Sequence, residues 1–379
     1  MSGFDVNITH AEGCTLYDAT GKQYLDLISG ISVSSIGHCH PRVVEAVQSQ
    51  SSRFMHLMVY GEFNQSPQVR YGRMLASLLP PSLHSVFFTT GGSEAVEGAV
   101  KLAKRATGRH EVIYFNKAYH GSTTGALSAM GDEDLKKPFR PLLPGFRQLR
   151  YNDSGMLGEI TNDTAAVLIE PVQGEAGVVR AEKDFIHALR RRCDETGTLL
   201  IFDEIQTGFG RTGTLFAFHQ FGIAPDVLLI AKAMGGGMPV GAFVSSASLM
   251  QHLARNPALG HINTFGGNAV CVAAAEACLD VIVAEKLWEK ARIIERQISE
   301  QLRHPLIREI RLTGALGAIE FGDEALNMKV IRACLERGLI TDWFLFCPTA
   351  MRIAPPLVIT AQELQQALRI VVSVLDEIA

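Results

Sequence analysis

The stretch Pro225-Asp226-Val227-Leu228-Leu229-Ile230-Ala231-Lys232-Ala233-Met234-Gly235-Gly236-Gly237 decides the fold. An apolar run between turn residues reads as a strand covered on both faces. It delivers a lone lysine, Lys232, to a glycine-rich turn, and a lysine buried there is costly unless neutralised, paired or used covalently. A second run of the same kind, Leu199-Leu200-Ile201-Phe202, ends in Asp203-Glu204. One amine and one carboxylate are thus brought to strand ends.

The same pattern extends outward. Val86-Phe87-Phe88, Val112-Ile113-Tyr114-Phe115 and Ala166-Val167-Leu168-Ile169 are short apolar runs separated by helical patterns. Such alternation predicts an α/β fold with an open, mostly parallel central sheet. The residues after the runs are polar or small: Thr89-Thr90-Gly91-Gly92, Asn116, Glu170, Asp203 and Lys232. Ligands of open α/β sheets bind beyond the carboxyl ends of the strands, so the chemistry is expected on one edge.

A chain of 379 residues exceeds the size at which one core stops growing, which predicts two domains. The large, ligand-binding domain is expected over 56–274. A smaller α+β domain is expected over 275–379, joined by 1–55, because the hairpin read over Tyr17 to Leu27 has too little apolar face to stand alone. In the tail, Ala284 to Leu302 reads as an amphipathic helix. Ile307 to Leu312 and Leu316 to Phe321 read as strands around Thr313-Gly314, and Thr360-Ala361-Gln362-Glu363 has the spacing of a capping box.

Apolar content of 47% and charged content of 20% describe a globular chain. A net charge of −4 gives no electrostatic reason to expect nucleic acid or an anionic membrane as partner. No apolar stretch is long enough to span a bilayer, and Met1 to Asn7 lacks the basic and apolar regions of a signal peptide. Seven scattered cysteines without a C-x-x-C pair fit reduced thiols in the cytoplasm. His38-Cys39-His40-Pro41 has no second ligand cluster at metal-site spacing. It reads instead as a loop turning at Pro41 into a helix over Arg42 to Gln50, and no metal is expected.

Thr90-Gly91-Gly92-Ser93-Glu94-Ala95-Val96-Glu97 joins a strand to a helix whose inner face carries Val96, Ala99, Val100 and Ala103, with Gly108 after the last turn. Gly92 and Ser93 at its start suit an anion such as phosphate, although a plain turn with an N-cap has the same residues. No Gly-Lys-Ser/Thr follows, so this is not a Walker loop. Asp203 alone would pass for a helix cap. The polar, glycine-rich run Glu204-Ile205-Gln206-Thr207-Gly208-Phe209-Gly210-Arg211-Thr212-Gly213 after it suggests a loop shaped around a ligand.

These blocks, together with Tyr119-His120-Gly121, Glu170-Pro171-Val172-Gln173-Gly174-Glu175, Thr264-Phe265-Gly266-Gly267-Asn268 and Arg352-Ile353-Ala354-Pro355-Pro356-Leu357, give the chain its resemblance to the class III aminotransferases of the fold type I pyridoxal phosphate enzymes. The ornithine, acetylornithine and ω-amino-acid branches are the most similar. The resemblance implies pyridoxal 5'-phosphate as cofactor, with Lys232 as the Schiff-base lysine and proton carrier and Asp203 as partner of the ring nitrogen. It implies a ring stacked on Tyr119, phosphate on Gly92 and Ser93, Ile205 and Gln206 along the ring, and Glu170 close by. It also implies a homodimer with shared sites, Thr264 reaching the phosphate of the neighbouring subunit. Tyr119 and His120 each also read as ordinary core residues, and His120 is left out of the catalytic set.

The same resemblance assigns Arg352 to the α-carboxylate of glutamate and Glu175 to pairing with that arginine when the other substrate enters. A guanidinium suits a carboxylate through two parallel hydrogen bonds; a structural salt bridge is the plainer reading. The ornithine branch usually carries an arginine after the Gly121 position, and this chain has Ser122. That departure favours a broader ω-amine specificity, with Phe54 to Tyr60 at the entrance. The expected reaction moves a terminal amino group from an ω-amino acid, acylornithine-like substrate or amine to 2-oxoglutarate or pyruvate by a ping-pong mechanism. An amino-acid racemase or aminomutase on the same scaffold is the alternative. A dinucleotide-dependent oxidoreductase is disfavoured, because no G-x-G-x-x-G follows the first strand.

Overall fold

In the computed structural model, which describes residues 4–379, seven strands build the central sheet: β1 (Ser85–Thr89), β2 (Glu111–Phe115), β3 (Phe146–Leu149), β4 (Thr164–Ile169), β5 (Leu199–Asp203), β6 (Val227–Ile230) and β7 (Gly241–Ser245). Their spatial order is β1-β7-β6-β5-β4-β2-β3. Pairing is parallel throughout except at β7, which runs antiparallel to both β6 and β1. The mostly parallel α/β sheet expected from the apolar runs is present. Two strands lay outside that reading: Phe146–Leu149 has polar residues at its centre, and Gly241–Ser245 opens on glycine.

The runs are apolar throughout because successive side chains enter two different cores. Val112, Tyr114, Ala166, Leu168, Val227 and Leu229 pack with Ala95, Val96, Ala99 and Ala103 of the helix Gly92–Thr107. Ile113, Phe115, Val167, Ile169, Leu228 and Ile230 face the other way, towards Phe185 and Leu189 of the helix Lys183–Thr196 and Val272 and Leu279 of the helix Ala269–Ala284. Each such large side chain contributes about 1.5–3 kcal/mol on burial. The helix Gly92–Thr107 ends as its sequence predicts, on Gly108 in the left-handed region with its N–H bonded to the Lys104 carbonyl at 2.9 Å.

The tail forms a second, antiparallel sheet in the order Glu309–Thr313, Leu316–Glu320, Cys347–Ile353, Asp342–Phe344. The hairpin of Thr15–Asp18 and Gln23–Asp26 is present, flanked by Ile8–Glu12, and the tail strand Leu339–Ile340 completes that sheet by pairing in parallel with Gln23–Asp26. The N-terminal segment therefore depends on the far end of the chain for its hydrogen bonds. Thr360 and Glu363 form the capping box of the helix Ala361–Ile378. The helix read over Ala284 to Leu302 spans Leu287–Gln301, because Lys286 takes φ +48° and separates it from the helix Ala269–Ala284. The helix after His40 runs Pro41–Arg53, with His40 Nδ1 accepting from the Arg42 amide.

Arg211 fastens these parts together. It is fully buried and has no carboxylate bonded to it. Its guanidinium donates to the carbonyls of Ala315 at 3.2 Å and Pro355 at 2.5 Å and to Ser35 Oγ at 2.9 Å. Burial pulls its pKa down to about 10. The loop after β5 is thereby tied to the N-terminal segment and to two tail segments. Gly314 turns against that loop at φ +61°, and a Cβ there would lie 2.5 Å from the Arg211 carbonyl oxygen. Glu204, next to Asp203, is also fully buried and accepts from the amides of Ala217 (2.6 Å) and Phe218 (2.7 Å). Burial lifts its pKa to about 7 against these N–H donors.

Two outcomes follow from this packing. Gly314→Ala combines a left-handed backbone with a collision against main chain and is expected to destabilise the protein by about 3 kcal/mol or more, read from urea melts. For Glu204, a raised folded pKa means that folding takes up a proton between the ordinary carboxylate value and about 7. Stability therefore falls as pH rises through that window, on the order of 1–3 kcal/mol from this group. Glu204→Gln is expected to reduce the slope of unfolding free energy against pH; an unaltered slope contradicts the assignment.

Candidate active site

The carboxyl edge of the sheet encloses a cavity of about 400 Å³. Its walls come from the segments after β1, β2, β4, β5 and β6 and before β7, and from Val33. Because β7 is antiparallel, its beginning lies on the same edge as the ends of the others. Gly92, Ser93, Tyr119, Glu170, Asp203, Ile205, Gln206 and Lys232, all read as site residues from the sequence, line this one cavity.

Lys232 follows β6 at φ +49°, a left-handed conformation that costs a residue with a Cβ about 1–2 kcal/mol. Strain of this kind persists where the surroundings over-determine it, commonly at functional sites. Burial lowers the pKa of its amine, assisted by the Arg352 charge and opposed by Glu175, Asp203 and Glu170. The net effect makes the amine easier to deprotonate than an exposed lysine.

Asp203 closes β5 and is buried. Its Oδ1 accepts from the Ile205 amide at 3.0 Å, and its Oδ2 lies 2.7 Å from Nδ1 of His120. A carboxylate accepts, so Nδ1 carries the hydrogen and the ring is oriented by the pair. His120, set aside in the sequence reading, is thus part of the site through Asp203. Its adjacency to Tyr119 and Gly121 in one block was the available signal. Gly121 takes φ +121°, and a Cβ there would lie 2.1 Å from Ser93 Oγ. Only glycine lets the Tyr119-His120 segment approach the helix start so closely.

Glu170 accepts from the Tyr119 amide at 3.0 Å and the Gly174 amide at 3.2 Å. Burial raises its pKa to about 7, with Asp203 pushing the same way and His120 opposing. At the helix start, Gly91 offers no capping side chain, and the Thr90 amide and hydroxyl are both taken by Glu94 Oε2. The first-turn N–H groups of Gly92 and Ser93 have no side-chain acceptor, which makes this end of the cavity suited to an anion.

Glu175 and Arg352 lie outside the cavity wall but within electrostatic reach of Lys232. Both are buried and form a bidentate pair, Nη1 to Oε1 at 2.8 Å and Nη2 to Oε2 at 3.0 Å. Burial opposes the charge on each, yet each charge holds the other, so Glu175 is lowered and Arg352 raised. The neighbouring hairpin wraps the pair. Asp342 accepts from Arg352 Nε at 2.8 Å, the Trp343 carbonyl accepts from Nη2 at 3.0 Å, and the guanidinium lies 4.4 Å from the centre of the Phe344 ring. On the other side, the Leu345 amide donates to Glu175 Oε2 at 3.2 Å. The sequence reading did not include Asp342, whose role depends on a cross-strand register that sequence spacing does not reveal.

Thr264 is exposed and outside the cavity wall, 3.3 Å from the Tyr60 hydroxyl. The Phe54 to Tyr60 segment likewise contributes nothing to this wall; Val59 and Tyr60 line a separate hollow of about 660 Å³. Ser122 is exposed, its Oγ 3.2 Å from the Tyr119 hydroxyl. Among the described residues no group of three or more His, Cys, Asp and Glu side chains is arranged for a metal. His38 instead pairs with Asp26 at 2.7 Å. No helix among the described residues is long and apolar enough to cross a membrane.

The cavity fits pyridoxal phosphate. An amine, a carboxylate and a cluster of free helix-start N–H groups point into one space, and Nε2 of Gln206 in its wall is a buried donor without a partner. Comparison with known proteins agrees. The family model described as aminotransferase class-III matches residues 2–375. An acetylornithine aminotransferase of Methanopyrus kandleri is 40% identical, over 97% of this chain and 93% of its own length. An ornithine aminotransferase structure from Toxoplasma gondii, which has partial occupancy of PLP at its active site, superposes with a TM-score of 0.92 at 31% identity, covering 100% of this chain and 91% of that one. An (S)-enantioselective ω-transaminase from Thermomicrobium roseum gives a TM-score of 0.90 at 31% identity, covering 98% and 93%. The chain belongs to the class III family of pyridoxal-phosphate-dependent aminotransferases.

Proposed function

We propose that the protein moves a terminal amino group from an ω-amino acid, an acylornithine-like substrate or an amine to 2-oxoglutarate or pyruvate, by a ping-pong mechanism. The observation that carries this reading is the Lys232 amine, with its pKa lowered, sharing one cavity with the Asp203–His120 pair. Lys232 Nζ would hold the cofactor covalently. Gly92 and Ser93 would donate main-chain N–H groups to its phosphate, Asp203 would hold its ring nitrogen, and Tyr119 and Ile205 would flank the ring. Gln206 Nε2 would donate to its phenolic oxygen. Pyridoxal phosphate, when bound, supplies an electron sink for negative charge at the substrate carbon.

The chain's own residues then manage protons and charge. Lys232 Nζ is the group that would take a proton from the substrate carbon and hold it for return. The Asp203 carboxylate, oriented by His120 Nδ1, keeps the opposite end of the site negative. Glu170, bonded to the Tyr119 and Gly174 amides, holds the Tyr119 segment in place.

Arg352 receives the carboxylate of the acid substrate, and Glu175 neutralises it when an amine without one enters. This pairing favours transamination over racemisation, because one site must alternate between a charged and an uncharged substrate end. With Ser122 exposed, the titratable side chains lining the cavity include Lys232, His120, Glu170 and Asp203, and no arginine lines it to receive a second carboxylate. That favours a donor whose far end is uncharged.

The active assembly in this reading is a homodimer, with Thr264 of the partner subunit reaching the phosphate. The exposed apolar side chains Phe63, Leu259 and Ile262 line the 660 Å³ hollow, Phe265 next to Thr264 is exposed as well, and they support a second copy on that face. The domain division at 55/56 and 274/275 and a cytoplasmic location belong to the same proposal. The helix Ala269–Ala284 runs across the second boundary, and the free cysteines fit a reducing compartment.

The purified protein is expected to be yellow, and candidate donors are found by mixing amines with it and following loss of the visible band. Lys232→Ala is expected to abolish that band and to lower turnover by about a thousandfold or more; near-normal turnover places the chemistry elsewhere. Arg352→Ala is expected to raise the KM for the 2-oxo acid by on the order of 100-fold and to affect a carboxylate-free amine far less. Racemisation without a 2-oxo acid, and no amino transfer with one, overturns the transaminase reading.

A further inference from the structure

Arg352 carries a second carboxylate that the exchange of substrates does not require. Glu175 occupies the outer Nη edge of the guanidinium, while Asp342 binds Nε from the paired strand, directly opposite Arg352 in register. The Trp343 carbonyl and the Phe344 ring complete the hold on that side. An incoming carboxylate can replace Glu175 on the Nη edge. It does not replace Asp342, which is bonded to Nε from the adjacent strand and not to the Nη edge. After the exchange, Arg352 still faces a second negative charge.

We propose that Asp342 is a specificity-determining residue that weakens the attraction of Arg352 for a substrate carboxylate while holding the guanidinium in place, so that acid substrates are released readily and carboxylate-free amines compete. The inference rests on the reading of Arg352 as the carboxylate receiver and adds a residue that sets how strongly it binds. An arginine opposed by one carboxylate keeps its full charge for the substrate once Glu175 withdraws; an arginine opposed by two does not.

The charge on Asp342 is conditional. Burial raises its pKa to about 6, against the pull of Arg352, with Glu175 and Asp26 pushing further upward. The helix Glu324–Glu336, packed on the same strand, buries Asn327, Val330, Ile331 and Cys334, and burial raises the Cys334 thiol to about 12, so it adds no charge. As pH falls through about 6 Asp342 takes up a proton and the opposing charge is progressively lost. Above that pH the charge is present and carboxylate affinity falls.

The test is calorimetric titration of the cofactor-loaded enzyme with glutarate, a dicarboxylate without a reactive carbonyl, together with the half-saturation of the 2-oxoglutarate half-reaction. Asp342→Asn retains an acceptor for Nε and removes the charge. At about pH 8 it is expected to bind glutarate on the order of 10- to 100-fold more tightly than the wild type, the range for one unit charge about 6–12 Å away at an effective protein dielectric of about 20. At about pH 5 the two are expected to converge. The half-saturation for 2-oxoglutarate follows the same pattern, and that for a carboxylate-free amine does not. Equal affinity at pH 8, or weaker binding by Asp342→Asn with an unchanged melting temperature, overturns the proposal and leaves Asp342 only a structural prop. If the Asn variant does not fold, Asp342→Ser is read by the same criteria. Arg352→Ala separates the two levels: if it leaves glutarate binding unaltered, the reading of Arg352 itself fails and the role of Asp342 fails with it.

Discussion

Covering both faces of a parallel sheet leaves charged groups a place only at the strand ends. Val227 to Ile230 and Thr164 to Ile169 are buried on every residue, so the first polar positions available to them are Lys232 and Glu170. Asp203 stands at the last residue of β5 for the same reason. The cavity is therefore a consequence of how the core is built. Its amine and carboxylates are brought together because no strand interior would accept them without a partner.

Within that cavity, electrostatics and backbone strain act together. Lys232 is held in a left-handed conformation by the turn into Gly235 and Gly236, and burial lowers its proton affinity. Arg211 contributes from a distance by pinning the loop after β5 to Ser35, Ala315 and Pro355. A fully buried guanidinium bonded to neutral acceptors is costly; here Nη1 and Nη2 are matched to carbonyl and hydroxyl oxygens, while Nε is left without a partner. The same loop carries Ile205 and Gln206 into the cavity wall.

The acid-binding side is built on different lines. Arg352 and Glu175 come from opposite halves of the chain, and the hairpin Asp342 to Cys347 wraps both. Phe346 from that hairpin packs with Leu127 and Met130 in the cluster that also contains Tyr119. The segment that sets the charge of Arg352 thus also touches the cluster holding the stacking residue, which couples substrate recognition to the wall of the cofactor cavity.

The sheet and most of the cavity were legible in the sequence because they rest on local signals. Apolar runs mark strands buried on both faces, and the residues that end them, Glu170, Asp203 and Lys232, name one edge. The Gly91-Gly92-Ser93 turn and the Thr360–Glu363 box are local in the same sense. Other features depend on which strands become neighbours. The antiparallel β7 lies between β6 and β1, and the Leu339–Ile340 strand completes the N-terminal sheet more than 300 residues away, as counted from Asp26. The contact of His120 with Asp203 and the opposition of Asp342 to Arg352 need cross-chain registers that spacing along the chain does not encode. The residue types that do the chemistry were thus determined by sequence, because burial restricts polar groups to strand ends. The partners that orient them and set their charge were decided only by tertiary packing, because hydrogen bonds of about 3 Å are formed between segments whose distance in sequence carries no information about their distance in space.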